Sequence, residues 1–403
     1  MASCQEYKIG NMDKILKCLE ELGEGKYVCY KTRKVSLDVN DQDILDYDDK
    51  PVVQTHDSRF AESDQTRVKT ITISKRTIDL CKTPLFAYFL DGSRHIYKVD
   101  DIAIGNKIYP VMAGQIIIGC CKRENRDTFK KCSLDRRIVL CLPVTVKDGT
   151  GAKADDLCKN YCEHINQRLA EIPYIQNSGI KIDSILLYKV DGDEKFLTDK
   201  NALKDSGTAK IQDEMVKCEQ DMVAYLCQQH YLDDSHYLIK DGSLEYREFY
   251  GVDMKSPAAA QIKTNFQHVV GVSKMFNPDL MLDYEKKKLS KTIAGLAPYT
   301  RTKVYRYKQG PLEFAVWYLR LRNTDFRETN FSDVVKCEMM LSQPGAVIET
   351  DLVNIISANL IREAYPTCHG KDTRWGNHLY PIFLTESFCK ANYVSQEILL
   401  NLF

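Results

Sequence analysis

The sequence predicts an α/β protein in which a mixed sheet is flanked by helices, and two observations support this fold class. Residues 84–123 contain three consecutive runs rich in β-branched and aromatic residues, separated by turn signals, which predicts an antiparallel meander. After it, a strand-like run at 137–146 is followed by a helix-like run at 154–172 and another strand-like run at 182–190. Such alternation is typical of a partly parallel sheet covered by helices.

The N-terminal part of the chain begins with a predicted helix over residues 12–22. Apolar residues recur there at helical spacing, and we expect the helix to end at Gly23. Residues 39–65 are acidic and weakly apolar, which predicts a surface segment or a linker.

The C-terminal half is expected to contain further helices and strands. Residues 209–228 carry an apolar stripe and predict a helix, and residues 236–244 predict a short strand interrupted by Asp-Gly-Ser. Residues 301–322 predict a hairpin that turns at residues 309–311. The last predicted helices cover residues 349–365 and 387–403.

Charge and hydropathy exclude several classes of protein. The 56 Lys and Arg residues balance 56 Asp and Glu residues, so no global positive field would draw the chain to nucleic acid. Any contact with a polyanion must come from local patches or bound metal. No apolar run approaches the ~20 residues of a membrane-spanning helix, and the first residues lack an apolar signal region. We therefore expect a cytoplasmic protein.

The cysteines do not resemble a disulfide framework. The chain has 15 of them, an odd number, and Cys120 and Cys121 are adjacent. We expect them to be reduced and mostly buried.

Two Asp-Gly-Ser tripeptides form the sharpest sequence feature. Asp91 in FLDGSR and Asp241 in LIKDGSL each follow an apolar strand, so both carboxylates are expected at strand ends. On one sheet they can converge, and bound divalent cations would relieve their repulsion. The alternative is two ordinary β-turns, because Asp-Gly is a common turn dipeptide.

A third acid and a lysine extend this candidate site. Glu219, or Glu214 on the same helix, can project towards the sheet edge, and three acids suit a pair of cations that activates water. Lys274 in VVGVSK follows a small apolar run and is placed to meet a phosphate. The alternative for each is a solvated surface position.

Cations alternate with aromatic residues along the predicted hairpin over 301–322. Such a ribbon can follow a phosphate backbone with its cations while a tyrosine stacks on a base. The alternative is a strand with one solvated basic face. The predicted nucleic-acid-binding residues are Arg94, which follows the first Asp-Gly-Ser, and Lys303, Arg306 and Arg320 of the hairpin.

Taken in order, FLDGSR, the helix with Glu219, LIKDGSL, VVGVSK and a Tyr380-Pro381 segment resemble the NurA nuclease family over residues 83–403. The resemblance implies a NurA-like nuclease domain over those residues, with an RNase H-like core related to the PIWI domain of Argonautes and carrying insertions. Residues 1–82 are then an N-terminal helical or extended segment.

The activity implied by the resemblance is a nuclease dependent on Mn²⁺ or Mg²⁺. It would act on DNA from 5′ ends, with single-strand endonuclease activity as well, in DNA end processing or defence. It would be a homodimer that works with a hexameric ATPase of the HerA type.

The resemblance also suggests site residues. Asp91 and Asp241 match the family's metal-binding aspartates, Lys274 matches its lysine, and Glu219 is our choice for its helical glutamate, with Glu214 as the alternative. The family also has a histidine or aspartate on the helix after its Tyr-Pro segment, where this chain has Phe388; Glu386 or His378 can substitute, and we take Glu386 as the metal ligand. The rival hypothesis is a catalytically inactive nucleic-acid-binding or scaffold subunit.

Overall fold

The computed structural model describes residues 14–30, 35–36, 60–148, 151, 153–190, 200–246, 249, 251–253, 255–283, 287–309, 312–323, 329–368 and 373–403. These residues form a mixed α/β fold in which one large sheet, with parallel and antiparallel pairs, is flanked by helices. The fold class predicted from the sequence is confirmed at this level. No helix among these residues has the length and apolarity needed to cross a membrane.

The described strands all belong to this sheet. They are β1 (Tyr27–Tyr30), β2 (Val35–Ser36), β3 (Thr70–Thr72), β4 (Phe86–Ile104), β5 (Lys107–Arg123), β6 (Phe129–Pro143), β7 (Ser184–Tyr188), β8 (Tyr237–Asp241), β9 (Val269–Ser273), β10 (Thr300–Thr302), β11 (Tyr305–Gln309), β12 (Leu312–Arg320) and β13 (Val334–Met340).

The described α-helices lie before, between and after these strands. They are α1 (Lys14–Leu22), α2 (Lys75–Leu80), α3 (Ala154–Ala170), α4 (Pro173–Gln176), α5 (Lys200–Gln228), α6 (Pro257–Phe266), α7 (Ser290–Ala294), α8 (Thr350–Glu363), α9 (Tyr380–Lys390) and α10 (Gln396–Leu400).

The centre of the sheet joins an antiparallel meander to a parallel group. β4, β5 and β6 form the meander, and β4 also pairs in parallel with β8, which pairs in parallel with β9. Beyond β9 the order continues through β13, β12, β10 and β3 with antiparallel pairs. Three parallel strands therefore run side by side in the middle of the sheet.

Helices cover both faces of this central region. On one face α5 packs on β4 and β5, and its apolar residues Ile211, Met215 and Val223 join the larger core. On the other face α8 and α9 contribute Val353, Ile361 and Ile382 to a second core. Because successive side chains of a strand alternate between faces, each central strand supplies both cores.

Residues 84–123, where three strands are predicted, form two longer antiparallel strands, β4 and β5, and the third strand of the observed meander is β6. The first Asp-Gly-Ser is not a turn: residues 91–93 lie inside the 19-residue strand β4, paired with Gly119, Ile118 and Ile117 of β5. The expectation of a strand end at Asp91 is therefore wrong. An extended glycine at position 92 costs strand stability but leaves room for a close neighbour, described below.

Several predicted helices are shifted. The helix expected over 209–228 begins already at Lys200, and the helix expected over 387–403 is instead two helices, α9 and α10, that end and restart around residues 391–395. The predicted hairpin is present as β11 and β12, although residues 310–311 of its turn lie outside the described residues.

The three described strands before position 83 pair with strands of the later part of the chain. β1 and β2 pair with β4, and β3 pairs with β10. Most of the predicted surface segment 39–65 lies outside the described residues, but the surface assignment is wrong for Glu62, which is fully buried beside Arg301 at 2.8 Å. Its neighbour Ala61 is hydrogen-bonded through the backbone to Val304 and Ile348.

All cysteines in the described part of the chain are free, as expected; Cys4 lies outside it.

Candidate active site

Asp91 and Asp241 lie side by side on adjacent parallel strands. Leu90 of β4 is opposite Lys240 of β8, so the next residue of each strand is an aspartate. Phe89 and Ile239, two residues before each acid, both belong to the core beneath α8 and α9. Both carboxylates therefore face α8 and α9. Asp91 is buried, with 5% of its surface exposed to solvent.

Lys274 reaches the same position from the end of β9. Its Nζ atom lies 2.9 Å from Asp241 Oδ2 and 3.7 Å from Oε2 of Glu386, which is on α9. The Lys390 ammonium contacts Glu386 at 2.6 Å from the solvent side. One buried lysine thus lies between two carboxylates on the face shared with Asp91.

Glu219 approaches from the opposite face of the sheet. It is on α5, and its Oε1 atom lies so close to Gly92 that a Cβ atom there would be 2.3 Å away. Its other oxygen is 3.1 Å from Nζ of Lys240, which is buried on the same face. Acids therefore surround the end of β8 at Asp241 from both faces of the sheet: Glu386 from the face of α9 and Glu219 from the face of α5. We call Asp91, Glu219, Asp241, Glu386, Lys240 and Lys274 the acid–lysine cluster.

The close approach of helices on both sides depends on glycines. Gly92 accommodates Glu219 of α5, while a Cβ atom at Gly119, the β5 partner of Asp91, would lie 2.4 Å from Cys389 Sγ of α9. The Cys389 thiol donates to the Asp91 carbonyl oxygen at 3.6 Å. These positions let α5 and α9 bring Glu219 and Glu386 close to the sheet.

The two neighbouring aspartates differ in pKa. Burial, reinforced by the Asp241 charge, raises the pKa of Asp91 well above its usual range. Burial also acts to raise the pKa of Asp241, but the Lys274 ammonium outweighs it, and the pKa of Asp241 lies below its usual value. Despite burial, the facing acids raise the pKa of Lys274, so its charge is retained.

The remaining acids follow the same electrostatics. Burial raises the pKa of Glu219, and the Lys240 ammonium opposes that effect. Burial acts likewise on Glu386, but Lys274 and Lys390 lower the pKa of Glu386 below its usual value. The charges of Glu219 and Glu386 both raise the pKa of Asp91, so all four carboxylates are electrostatically linked.

A buried network holds the loop that follows Asp241. Gly242 has a positive φ of +84° and turns the chain towards β9. The Ser243 hydroxyl and the Leu244 amide then donate to Glu338 Oε2 at 2.9 and 2.7 Å. Lys336 compensates this buried carboxylate at 2.5 Å. The second Asp-Gly-Ser therefore ends strand β8 at Asp241, as expected, and leads into a hydrogen-bonded loop.

Among the residues that the structure describes, no group of three or more His, Cys, Asp or Glu side chains is arranged as a ready-made metal site. Glu219, Asp241 and Glu386 of the cluster instead contact lysines. The donor chemistry suits a hard divalent cation, because carboxylate oxygens are ligands that Mg²⁺ and Mn²⁺ prefer. Asp91 provides a specific reason for a cation here, since burial and, after it, the neighbouring Asp241 disfavour its charged form.

The structure separates the alternatives that the sequence leaves open. Glu214 lies away from the cluster, in an ion pair with Arg137 at 3.2 Å, whereas Glu219 belongs to the cluster. Glu386 contacts Lys274, while Phe388, nearer the position expected from the family, packs against Gly119. His378 is buried. Its electrostatic interaction with Asp241 lowers the pKa of that acid, in addition to the larger effect of Lys274.

The prediction that three cations of the hairpin bind nucleic acid is wrong. Lys303 is fully buried and contacts Asp64 at 2.7 Å, and Arg306 contacts Glu313 at 3.2 Å. Arg320 is also fully buried, and its guanidinium donates to backbone carbonyls of Leu296, Ser332, Ala294 and Asn330. These cations stabilise the interior and do not face a ligand. Of the described residues on the two arms, Lys308 is exposed and the others of known burial are buried, so the alternative of a solvated basic face is wrong as well.

Arg94, the remaining predicted contact to nucleic acid, lies on β4 three residues after Asp91. It is half-buried, and its Nε atom donates to Gln212 of α5.

Sequence reasoning missed Lys240 and Glu338. The signal for Lys240 is a lysine inside the apolar run HYLIKD, immediately before the acid, where a charge requires a buried partner. No comparable signal exists for Glu338, because its role depends on a strand that follows Asp241 by almost a hundred residues.

No family model matches this chain, and a comparison with curated proteins gives no match.

Proposed function

We propose that this protein is a metal-dependent nuclease of the NurA type that hydrolyses phosphodiester bonds in DNA. The observation that carries the proposal is the pairing of Asp91 with Asp241 on adjacent parallel strands, with Lys274 beside them. Pairs of acids whose pKa values are pushed apart by their surroundings are typical of catalytic sites.

The arrangement of the sheet supports the fold that the resemblance implies. An antiparallel meander, β4 to β6, is continued by the parallel strands β8 and β9, and helices cover both faces. We infer an RNase H-like core on this basis, with the strands beyond β9 and the residues before position 83 as additions to it.

In this proposal Asp91 and Asp241 would hold a divalent cation, with Glu219 and Glu386 completing the set of acidic ligands. A bound Mn²⁺ or Mg²⁺ ion would polarise the attacking water and stabilise the charge of the leaving oxygen. The raised pKa of Asp91 means that this carboxyl group has to release its proton to act as a ligand, so cation binding and proton release are coupled.

Lys274 would have two roles. Without a cation, its ammonium keeps Asp241 and Glu386 charged and close together. With substrate, the same ammonium would compensate charge on the phosphate, which a chain of zero net charge has to do locally. On the other face of the sheet, Lys240 would keep Glu219 charged when no cation is bound.

The proposal extends to the partners expected of the family: DNA, a second copy of the chain, and a hexameric ATPase of the HerA type. The pathway would be DNA end processing or defence, with 5′-to-3′ exonuclease and single-strand endonuclease activities.

The test is a digest of end-labelled single-stranded and duplex DNA by the purified full chain with Mn²⁺, with Mg²⁺ and with EDTA. We expect cleavage with metal, none with EDTA, and none for Asp91→Asn or Asp241→Asn. Glu214→Gln, on the same helix as Glu219 but outside the cluster, is the matched control and should cleave normally. Unchanged cleavage by both aspartate variants would refute the assignment.

A second candidate is a catalytically inactive nucleic-acid-binding or scaffold subunit with the same fold. It is favoured by the direct contacts of Lys240 with Glu219 and of Lys274 with Asp241, which neutralise acids that a cation would need. The same digest separates the two functions. DNA binding without cleavage under either metal, even with a HerA-type ATPase added, supports the scaffold.

A further inference from the structure

A β-bulge brings two cysteines of neighbouring strands together. Cys120 of β5 is opposite Ser133 of β6, but Cys121 is opposite Lys131, so Cys132 is an extra residue in the ladder. In a regular strand Cys132 would point away from the face of Ser133 and Cys120. The bulge places it on that face instead, and both cysteines contact the core beneath α5.

The two thiols are unequal in access. Cys120 is fully buried, whereas Cys132 is half-buried and reachable from solvent. The pKa values follow a similar division: a hydrogen bond from Cys120 and the nearby Lys122 ammonium lower the pKa of Cys132 to about 7, while the pKa of Cys120 is raised by that interaction and by burial. Near neutral pH, Cys132 therefore has substantial thiolate character, which is the nucleophilic form.

The bulge sets Cys132 beside Ser133, the residue opposite Cys120, and the two thiols are close enough for a hydrogen bond between them. Such proximity on one face of two paired strands is what a disulfide between them requires. Each of the half-buried thiols of α3, Cys158 and Cys162, by contrast, has a pKa raised chiefly by burial. The Cys120–Cys132 pair thus combines proximity, access and an activated thiol.

We propose that Cys132 is a hydroperoxide-reactive thiol and that Cys120 resolves its oxidised form as a reversible disulfide. The Cys132 sulfur attacks the peroxide O–O bond, giving a sulfenic acid while the peroxide is reduced to water or an alcohol. The Cys120 sulfur then attacks the Cys132 sulfur; the S–S bond forms, and the sulfenic oxygen leaves as water with the Cys120 proton. A thiol reductant restores both cysteines.

The test treats the reduced full chain with stoichiometric hydrogen peroxide and identifies products by intact mass and peptide mapping. We expect the loss of two hydrogens, a Cys120–Cys132 linked peptide, and reversal by dithiothreitol. Cys132→Ser should abolish the linkage. Cys120→Ser, or Cys120→Ala if serine prevents folding, should instead leave a sulfenic acid at Cys132 that dimedone traps. The matched control, Cys162→Ser, should behave like the parent.

The pH dependence gives a readout that packing alone does not supply. Alkylation of Cys132 by iodoacetamide, followed by peptide mapping, should rise with a midpoint near pH 7, which Cys120→Ala shifts upwards. A Cys132 that reacts with peroxide no faster than Cys227, or that pairs with a different cysteine, would overturn the proposal. These readouts require no nuclease activity and are independent of the proposed function.

Discussion

Asp91 and Asp241 are neighbours in the sheet, yet their pKa values are shifted in opposite directions. The difference arises because the Lys274 ammonium lies 2.9 Å from Asp241, while Asp91 is buried among the other acids of the cluster. The pair therefore consists of one carboxylate that is stably charged and one that tends to hold a proton. Their substitutions should have different consequences, although both acids are proposed to bind the same cation.

Asp91→Asn and Asp241→Asn should each abolish metal-dependent cleavage but affect stability differently. Asparagine at position 91 removes a carboxyl group whose charged form burial disfavours, so the melting temperature should stay unchanged or rise. Asparagine at position 241 deprives buried Lys274 of its closest partner, and the melting temperature should fall. Differential scanning fluorimetry and the DNA digest measure the two effects; equal shifts in melting temperature would contradict the assigned asymmetry.

The stability effect at position 91 should depend on pH. Above about pH 4, an unfolded aspartate is ionised, whereas the raised pKa makes folded Asp91 retain its proton to higher pH. The folded state then binds more protons, so this residue makes the protein less stable as pH rises. The stability gained by Asp91→Asn should therefore be larger at pH 7 than at pH 5, in urea unfolding at each pH. A gain that shrinks as pH rises would show the opposite shift.

Lys274→Met should increase the response of stability to Mn²⁺. The substitution removes the ammonium that Asp241 and Glu386 contact, and the uncompensated acids should lower stability by about 3–5 kcal/mol without metal. Added Mn²⁺ should recover part of this loss, since a ligand at 100 times its Kd contributes about 2.7 kcal/mol.

The matched control for Lys274→Met is Lys390→Met, which removes an exposed lysine from the same Glu386. Its thermal shift with Mn²⁺ should resemble that of the parent. Identical Mn²⁺ shifts for both variants and the parent would argue against a cation site in the cluster.

The pair formed by Glu219 and Lys240 should show strong coupling in a double-mutant cycle. Glu219→Gln or Lys240→Met alone leaves a buried charge without its partner, at a cost of about 3–5 kcal/mol, whereas the double variant should recover most of that loss. Glu214→Gln, on the same helix, should cost less than about 1 kcal/mol. Additive single effects in urea unfolding would mean that the two side chains do not interact.

Gly92→Ala should damage the site through Glu219. The added methyl group would lie 2.3 Å from the Glu219 carboxylate, so this side chain must move, and we expect a loss of about 1–3 kcal/mol together with reduced cleavage. Gly251→Ala is the matched control, because the space around that position is open. Equal stability of the two variants would show that the contact above Gly92 is not tight.

Periodicity and turn signals predicted much of the fold. The antiparallel pairing within residues 84–123, the strand that ends at Asp241 and most of the long helix α5 follow from local patterns, although two strands occupy the region where three are predicted. The interruption of β4 was wrongly expected because Asp-Gly-Ser favours a turn locally, whereas pairing with β5 and the approach of Glu219 keep Gly92 extended. A tertiary contact overrides a local preference there, and nothing in the nearby sequence reports it.

The candidate site was only partly accessible to sequence reasoning. Asp91, Asp241 and Lys274 were identified from their positions after apolar runs, and the structure brings them together; their catalytic role stays a prediction. Lys303 and Arg320 were misassigned because alternating cations look the same whether they face solvent or a buried acid or carbonyl. Their burial depends on Asp64 and on distant loops, which no local pattern reveals.

The length of β4 has a mechanical consequence. The strand carries Asp91 near one end, and the hairpin tip between Ile104 and Lys107 lies at the other, with β5 alongside throughout. β8, in contrast, ends at Asp241. Because β4 is paired with β8 as far as Leu90 and Lys240, this pairing sets the spacing of the two aspartates, and movement of the distant hairpin tip need not disturb it.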